Sequence, residues 1–187
     1  YLDDKLGIAK TLSLLGTKIY GWSSEINDEE LYSKITYLSE ALEIYKELQD
    51  INNLIRYHSA ISHSYAEIGN LDQALLHMQT SIEYLETSEV DKKEIKIIRH
   101  KSSLINVYME MGNEEKVLEL MENRINHYNN INDLILNVKN YQRLGKFYFN
   151  IEKYEESNKY FIKALEISTN LNDPSSIMDT KVNIVYN

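Results

Sequence analysis

The side chains best suited to acid–base or metal chemistry in this sequence are five histidines and many carboxylates. The histidines are His58, His63, His77, His100 and His127. No cysteine is present to complete a metal site or to act as a thiolate nucleophile. Neighbouring carboxylates such as Glu114–Glu115 and Glu155–Glu156 fall where helices are expected to begin, and there they complement the helix dipole. Phosphate-binding loops, nucleophile elbows and kinase signatures are also missing, so we expect no catalytic, metal or cofactor site and no enzyme activity.

Charge and hydropathy narrow the classes of partner. The 187 residues carry a formal net charge of −9, which disfavours contact with a nucleic-acid backbone through this segment. No apolar run approaches the ~18 residues needed to span a membrane. The absence of cysteine fits a reducing cytoplasm. We therefore expect a cytoplasmic protein segment whose partners are peptides or proteins.

Composition and periodicity predict helices throughout. One proline and six glycines leave little material for turns, so long helices with short connections are favoured. Between Asp50 and Gly69, apolar residues recur mostly at three- to four-residue steps and draw one apolar stripe along a helix. Gly69–Asn70, Gly112–Asn113 and Asp173–Pro174 have the residue types that end one helix and open the next. Nine helices are expected, at about 2–21, 28–48, 51–68, 71–87, 91–111, 114–129, 133–150, 153–170 and 174–186.

The helices repeat. Equivalent points recur about every 40 residues, at Ala41, Ser81, Arg124 and Ala164. A helix pair of this length cannot bury its own apolar face, so stacking against the next pair must supply the core. We expect an all-α fold of stacked antiparallel helix pairs, an α–α superhelix. Residues 1–187 should form one repeat domain of about four helix pairs and a final helix.

The best copy of the repeat lies near the end of the chain. There Leu144, Gly145 and Tyr148 are followed by Phe161 and Ala164. This pattern resembles the tetratricopeptide repeat, which places Leu-Gly and Tyr on its first helix, helix A, and small and aromatic residues on its second, helix B. The resemblance covers roughly residues 9–187, although the motif tryptophan is absent, Arg124 stands at a small-residue position and Glu152 at the turn glycine. It also implies that His58 and Tyr65, in an earlier copy of the repeat, pack in the core.

The tetratricopeptide resemblance implies a binding site. In such arrays helix A of each repeat lines a concave groove, and fixed positions on it contact the ligand. The best candidates for a peptide-binding groove at those positions are Arg56, His63, Arg99, Asn106, Lys139, Gln142, Arg143 and Lys146. Other positions of the same set are occupied by Ala66, Glu67, Ser103, Glu110, Phe149 and Asn150. Arginines and lysines with amides suit a carboxylate or an acidic side chain. Lys139 and Arg143 are similar to part of a carboxylate clamp, but Ser102 and Ser103 stand at other clamp positions.

Repeat length and links carry a narrower resemblance. The repeats are longer than the usual tetratricopeptide unit of about 34 residues. The A helices of three repeats also follow polar links that end in aspartate, at 48–50, 131–133 and 171–173. These features, with a composition rich in Asn, Lys, Ile and Tyr, resemble the peptide-sensing regulators of Gram-positive bacteria, the group that includes Rap-, NprR- and PlcR-type proteins. That resemblance implies a short signalling peptide as ligand, quorum sensing, transcription regulation through an N-terminal DNA-binding domain, and frequent homodimerisation.

Two functional hypotheses stay open at this point. The chain begins at Tyr1 without an initiator methionine and shows no DNA-binding domain, so we expect a piece of a longer protein that contacts DNA only through a missing N-terminal domain. It would then be the ligand-sensing part of a bacterial regulator. The alternative is an interaction scaffold or a co-chaperone-like adaptor that docks a protein tail and senses no signalling peptide.

Overall fold

Every regular element of the structure is an α-helix. The structure is a computed structural model that describes residues 2–18 and 27–184. Its helices are α1 (Leu2–Lys18), α2 (Asp28–Glu47), α3 (Ile51–Glu67), α4 (Leu71–Thr87), α5 (Lys93–Glu110), α6 (Glu114–Asn130), α7 (Leu134–Asn150), α8 (Tyr154–Asn170) and α9 (Pro174–Asn183). The all-α prediction is confirmed, with helix ends within a few residues of those expected. The link between the first two expected helices, at about 21–28, and the predicted ends of the first and last helices lie largely outside the described residues.

The chain divides into two compact units. The first unit, Tyr1–Met111, contains α1 to α5, and the second, Gly112–Asn187, contains α6 to α9. In the first unit each helix packs against the next one along the chain. In the second unit α6 packs against α7, α7 against α8, and α9 against both α8 and α7. Each unit therefore stacks consecutive helices, as a helical repeat requires.

Short links with one left-handed residue set the turns between helices. The middle residue has a positive φ in six of them, at Gln49, Gly69, Gly112, Asn132, Glu152 and Asn172. In five of these six links the residue that follows caps the next helix: the side chains of Asp50, Asn70, Asn113, Asp133 and Asp173 each accept a hydrogen bond from a backbone N–H in the first turn. Lys153, which follows Glu152, makes no such bond. These caps satisfy backbone donors that have no partner within the helix. The caps expected at Asn70, Asn113 and Asp173 are confirmed.

The core of the first unit combines apolar packing with serine hydrogen bonds. Leu38, Ala41 and Ile61 are fully buried. Two buried serines tie α3 to α4: Ser62 Oγ donates to the Ala74 carbonyl at 2.7 Å, and Ser81 Oγ donates to the Ile55 carbonyl at 2.8 Å. Small residues at these points let the helices approach closely while both buried hydroxyls keep a partner.

The core of the second unit uses the Leu-Gly-Tyr signature on α7. Leu144, Tyr148 and Phe161 are buried. A Cβ on Gly145 would stand 2.8 Å from the Phe161 ring, so only glycine allows α8 to lie this close to α7. Buried Asn137 holds α6 to α7, because its amide donates to the Ile125 carbonyl at 3.2 Å and to Asn129 Oδ1 at 2.6 Å.

A histidine pair replaces part of the expected core packing in the first unit. His58 is half-buried rather than fully enclosed, and its Nδ1 lies 3.0 Å from Nδ1 of His77. Tyr65, expected in the core, is also half-buried and tilts over His77 with ring centroids 5.6 Å apart. Burial, and then the neighbouring charges at His77 and Lys46, lower the pKa of His58 to about 4. Burial also lowers the pKa of His77, so both rings are neutral at physiological pH.

Candidate functional site

The first unit presents one continuous face on α3 and α5. Arg56 and His63 lie on α3, Arg99 and Asn106 lie on α5, and all four side chains are exposed. Arg56 and His63 are seven residues apart, about two helical turns, and so are Arg99 and Asn106. Each pair therefore lies on one side of its helix. The structure therefore places the four candidate residues of this unit on α3 and α5, the A helices of two successive repeats.

A cavity of about 190 Å³ opens on this face. Six of its lining residues occupy positions that the tetratricopeptide resemblance assigns to the groove: His63, Ala66, Glu67, Ser103, Asn106 and Glu110. The rest of the lining comes from Ser62, Met78 and Val107. Positions that are distant in sequence thus converge on one concave site of the first unit.

His63 bridges the two helices of this face. Its Nδ1 lies 2.7 Å from the Ser59 carbonyl oxygen, which can only accept, so Nδ1 carries the proton. Nε2 is then the acceptor in the neutral ring, and Ser103 Oγ lies 3.3 Å from it on α5. This contact joins α3 to α5 at the cavity.

A second histidine lies beneath the same face. His100 is buried, and its Nδ1 lies 2.9 Å from Ser81 Oγ. Because Ser81 gives its one proton to the Ile55 carbonyl, His100 Nδ1 must be the donor in that contact. Burial first, and then the nearby charges at His63, Arg99 and Lys96, lower the pKa of His100 to about 4. His100 is therefore a neutral support beneath the site.

The second unit presents a cationic face on α7. Lys139, Arg143 and Lys146 are the only charged residues of that helix, and their spacing of four and three residues places them on one side. Lys139 and Lys146 are exposed, whereas Arg143 is half-buried. Burial and the neighbouring Arg124 lower the pKa of Arg143 to about 10, which leaves it protonated at neutral pH. This concentration of positive charge is notable in a chain of net charge −9.

Gln142 has an intramolecular role in the second unit. Its amide Nε2 donates to Thr180 Oγ1 at 2.8 Å, and Thr180 is fully buried. The bond fastens α9 to α7. That Gln142 contacts a ligand therefore stays a prediction. Such a contact would require Gln142 to exchange its bond to Thr180 for a bond to the ligand.

A larger cavity of about 370 Å³ opens at the end of the cationic face. Lys146, Phe149 and Asn150 of α7 contribute to it, and all three stand at predicted groove positions. The buried ring of Phe161 from α8 also lines it, together with Val182, Asn183 and Ile184 from the end of α9. The cavity thus combines one cation and two amides with an apolar wall.

Sequence reasoning missed the contribution of α9. We expected a final helix there and assigned it no groove position. The sequence did contain a signal for this contribution. Asp133 and Asp173 stand at equivalent positions of successive repeats, and the same interval separates Val182 from Gln142, a groove position on α7. Val182 therefore stands at the equivalent position of α9. The contribution of Met78 had no such signal, since it comes from helix B and reaches the site through packing.

Among residues 2–18 and 27–184, no group of three or more histidine or acidic side chains is arranged to hold a metal ion. No helix in the same part of the chain has the length and apolar character needed to cross a membrane.

Comparison with known proteins supports the repeat assignment. A family model described as "Tetratricopeptide repeat" matches residues 138–171, which hold most of α7 and all of α8. No curated protein sequence matches the chain. Among solved structures, aspartyl phosphate phosphatase F from Bacillus subtilis is similar with a TM-score of 0.64 and 16% identity over 96% of this chain. BtubC (BKLC) from P. vanneervenii is similar with a TM-score of 0.60 and 16% identity over 98% of this chain.

The shares of the chains covered and the low sequence identity limit these similarities to the fold. The chain spans 45% of the length of the phosphatase chain and 80% of the BtubC chain. At 16% identity the likeness concerns the fold. Together with the nine described helices and the repeat matched at 138–171, it shows that this chain has the all-α, tetratricopeptide-type helical-repeat fold.

Proposed function

We propose that the chain binds extended peptide segments on the exposed faces of its A helices, on α3 and α5 in the first unit and, separately, on α7 in the second. One observation carries the proposal. In each unit a cavity opens on that face, and groove positions assigned from the repeat pattern contribute to its lining. Concave sites with an apolar floor and a few convergent polar groups are the usual form of a binding site.

The charges on these faces favour a ligand with acidic groups. Arg56 and Arg99 stand near the N-terminal ends of α3 and α5, and Lys139, Arg143 and Lys146 follow the face of α7. Arginine offers a planar fork of donors that matches a carboxylate, and lysine offers a compact point charge. Asn150 and Asn183 of the larger cavity can hydrogen-bond a peptide backbone.

We further propose that this binding serves regulation. The resemblance of the long repeats and aspartate-ended links to Gram-positive peptide sensors supports this role, as does the fold shared with a phosphatase of Bacillus subtilis. In this proposal the chain is the cytoplasmic, non-catalytic sensing part of a bacterial regulator. A short peptide is its ligand, and any DNA contact or dimer belongs to the whole protein.

The larger cavity also favours the alternative, an adaptor that docks a protein tail. A lysine beside an apolar wall suits a free C-terminal carboxylate whose last side chain is apolar. A sensor should accept a free heptapeptide as a complete ligand. An adaptor of this kind should lose binding when the C-terminal carboxylate is amidated.

A display experiment tests the proposed function. A random heptapeptide library is selected on the immobilised chain, and the affinity of the recovered peptides is measured by fluorescence anisotropy. We expect Arg99→Ala to weaken binding about tenfold or more, since a hydrogen bond to a charged group contributes about 1.5–3 kcal/mol. Helicity and melting temperature should stay nearly constant because Arg99 is exposed.

Lys101→Ala is the matched control for this variant. Lys101 lies on the same helix two residues away, and it pairs with Glu86 at 3.1 Å. Its removal takes away one positive charge without touching the candidate site. Equal affinities for the wild type and the Arg99→Ala variant, or equal losses in the Arg99→Ala and Lys101→Ala variants, would count against the proposal.

A further inference from the structure

The lining of the first unit's cavity differs in chemistry from the cationic candidate residues. Its base is apolar: Met78 is 1% exposed and Val107 is 4% exposed, and half-buried Ala66 lies beside them. A base of this kind can cover the hydrocarbon stem of a long side chain while the polar head stays at the rim.

The rim of this cavity carries two carboxylates and no lysine or arginine. Glu67 on α3 and Glu110 on α5 are exposed and occupy equivalent positions of successive repeats. Glu67 also interacts electrostatically with buried Lys34 of α2, whose pKa is lowered by burial and raised in part by that carboxylate. Glu110 therefore supplies negative charge to the rim in addition to the Glu67–Lys34 interaction.

We propose, on the basis of the proposed function, that this cavity receives the lysine or arginine side chain of the bound peptide. The stem lies on Met78 and Val107, and the charged head lies between Glu67 and Glu110. The side-chain oxygen of Asn106 is a further acceptor at the same rim. Charge complementarity selects this occupant, because an acidic or purely apolar side chain would not match the negative charge of the rim.

The position of the cavity also specifies where the acidic group of the ligand belongs. Arg56 precedes Glu67 on α3 by the same interval that separates Arg99 from Glu110 on α5. That interval is about three helical turns, so the positive and negative ends of this face are roughly 16 Å apart. An extended peptide spans that distance in about five residues. The preferred ligand therefore has acidic and basic side chains separated by about that length of chain.

A charge-reversal experiment tests this assignment. The heptapeptide selection is carried out on the wild type, on Glu110→Gln, on Glu110→Lys and on Glu83→Gln. Glu83 is an exposed residue of α4 that does not line the cavity, so it is the control for loss of one negative charge. We expect lysine or arginine to be enriched at one position with the wild type and with Glu83→Gln. Glu110→Gln should remove that enrichment, and Glu110→Lys should replace it with aspartate or glutamate.

Affinity measurements complete the test. Replacing the enriched basic residue of a selected peptide by norleucine should weaken binding to the wild type about tenfold and should have little effect on binding to Glu110→Gln. Selected peptides without a basic preference, or a preference that survives in Glu110→Gln, would overturn the assignment while leaving peptide binding intact. Recovery of no peptide at all would overturn both the proposed function and this assignment.

Discussion

Single residues set the turns of this repeat, and Glu152 is the most informative of them. Its φ of 62° lies in the left-handed region, where the equivalent residues of two other links, Gly69 and Gly112, are glycines. A side chain in that region costs roughly 1 kcal/mol or somewhat more relative to glycine. The departure from the tetratricopeptide pattern at Glu152 therefore changes the residue and leaves the backbone conformation unchanged.

Glu152→Gly should stabilise the protein by about 0.5–1 kcal/mol. Relief of the left-handed strain favours the variant, and the greater freedom of glycine in the unfolded chain offsets part of that gain. Urea unfolding monitored by circular dichroism measures the change. Glu166→Gly, an exposed position in the interior of α8, should instead destabilise the protein by about 1 kcal/mol. The strain argument is wrong if both variants lose stability alike.

Two histidines with lowered pKa values, His58 and His100, make stability depend on pH. The pKa of His58 and that of His100 are both lowered to about 4 from the ordinary value of 6.5. The unfolded chain therefore binds more protons than the folded chain between about pH 4 and pH 6.5. Stability should be complete above pH 6.5 and should fall as the pH decreases through this window.

Unfolding in urea at pH 7.5 and at pH 5 tests that sign. His58→Phe should reduce the difference in unfolding free energy between the two pH values. The variant lacks the imidazole of His58, which takes up a proton more readily in the unfolded chain than in the folded chain. A pH dependence identical in the wild type and in His58→Phe would contradict the lowered pKa of His58.

Pairs of helices are held at the distances that their small residues allow. On α7, Gly145 faces the ring of Phe161 on α8, and Ser157 Oγ donates to the Gly145 carbonyl at 2.8 Å. In the first unit Ser62 and Ala74 make the corresponding bond between α3 and α4 at 2.7 Å. The two copies of the repeat thus share a close helix contact, although the residues that make it differ.

Gly145→Ala should destabilise the protein by about 1–3 kcal/mol, because the added methyl group overlaps the Phe161 ring. Gly7→Ala is the matched control: nothing lies within 4 Å of an added Cβ on α1, so higher helix propensity should stabilise the protein by up to about 1 kcal/mol. Thermal melting of both variants checks the pair. A Gly145→Ala variant as stable as the wild type would contradict the packing described for α7 and α8.

Helices and caps were predictable because their signals are local. Asn70, Asn113 and Asp173 stand directly before apolar-periodic segments, and all three cap helices in the structure. The contact of His58 with His77 and the bond from Gln142 to Thr180 were not predictable. Each joins positions on different helices, and their proximity depends on how side chains pack rather than on spacing along the chain.

At the scale of the whole molecule, the repeat explains why candidate positions from distant parts of the sequence share a site within each unit. His63 and Ser103 lie on different repeats and meet across the smaller cavity. Lys146 and Asn183 line the larger one together. Spacing predicted most of these positions. The charge and shape of each cavity required the structure, since Met78 and the end of α9 contribute to them.

The absence of cysteine allows the central claim, that peptides bind on the faces of α3, α5 and α7, to be tested by labelling single introduced cysteines. The measurement is the rate of maleimide labelling at Ser103→Cys and Asn150→Cys, and at the helix-B controls Glu83→Cys and Lys159→Cys, with and without a saturating selected heptapeptide. The account predicts slower labelling at position 103, at position 150 or at both, and unchanged rates at 83 and 159. Protection confined to the helix-B positions, or no protection anywhere, would contradict it.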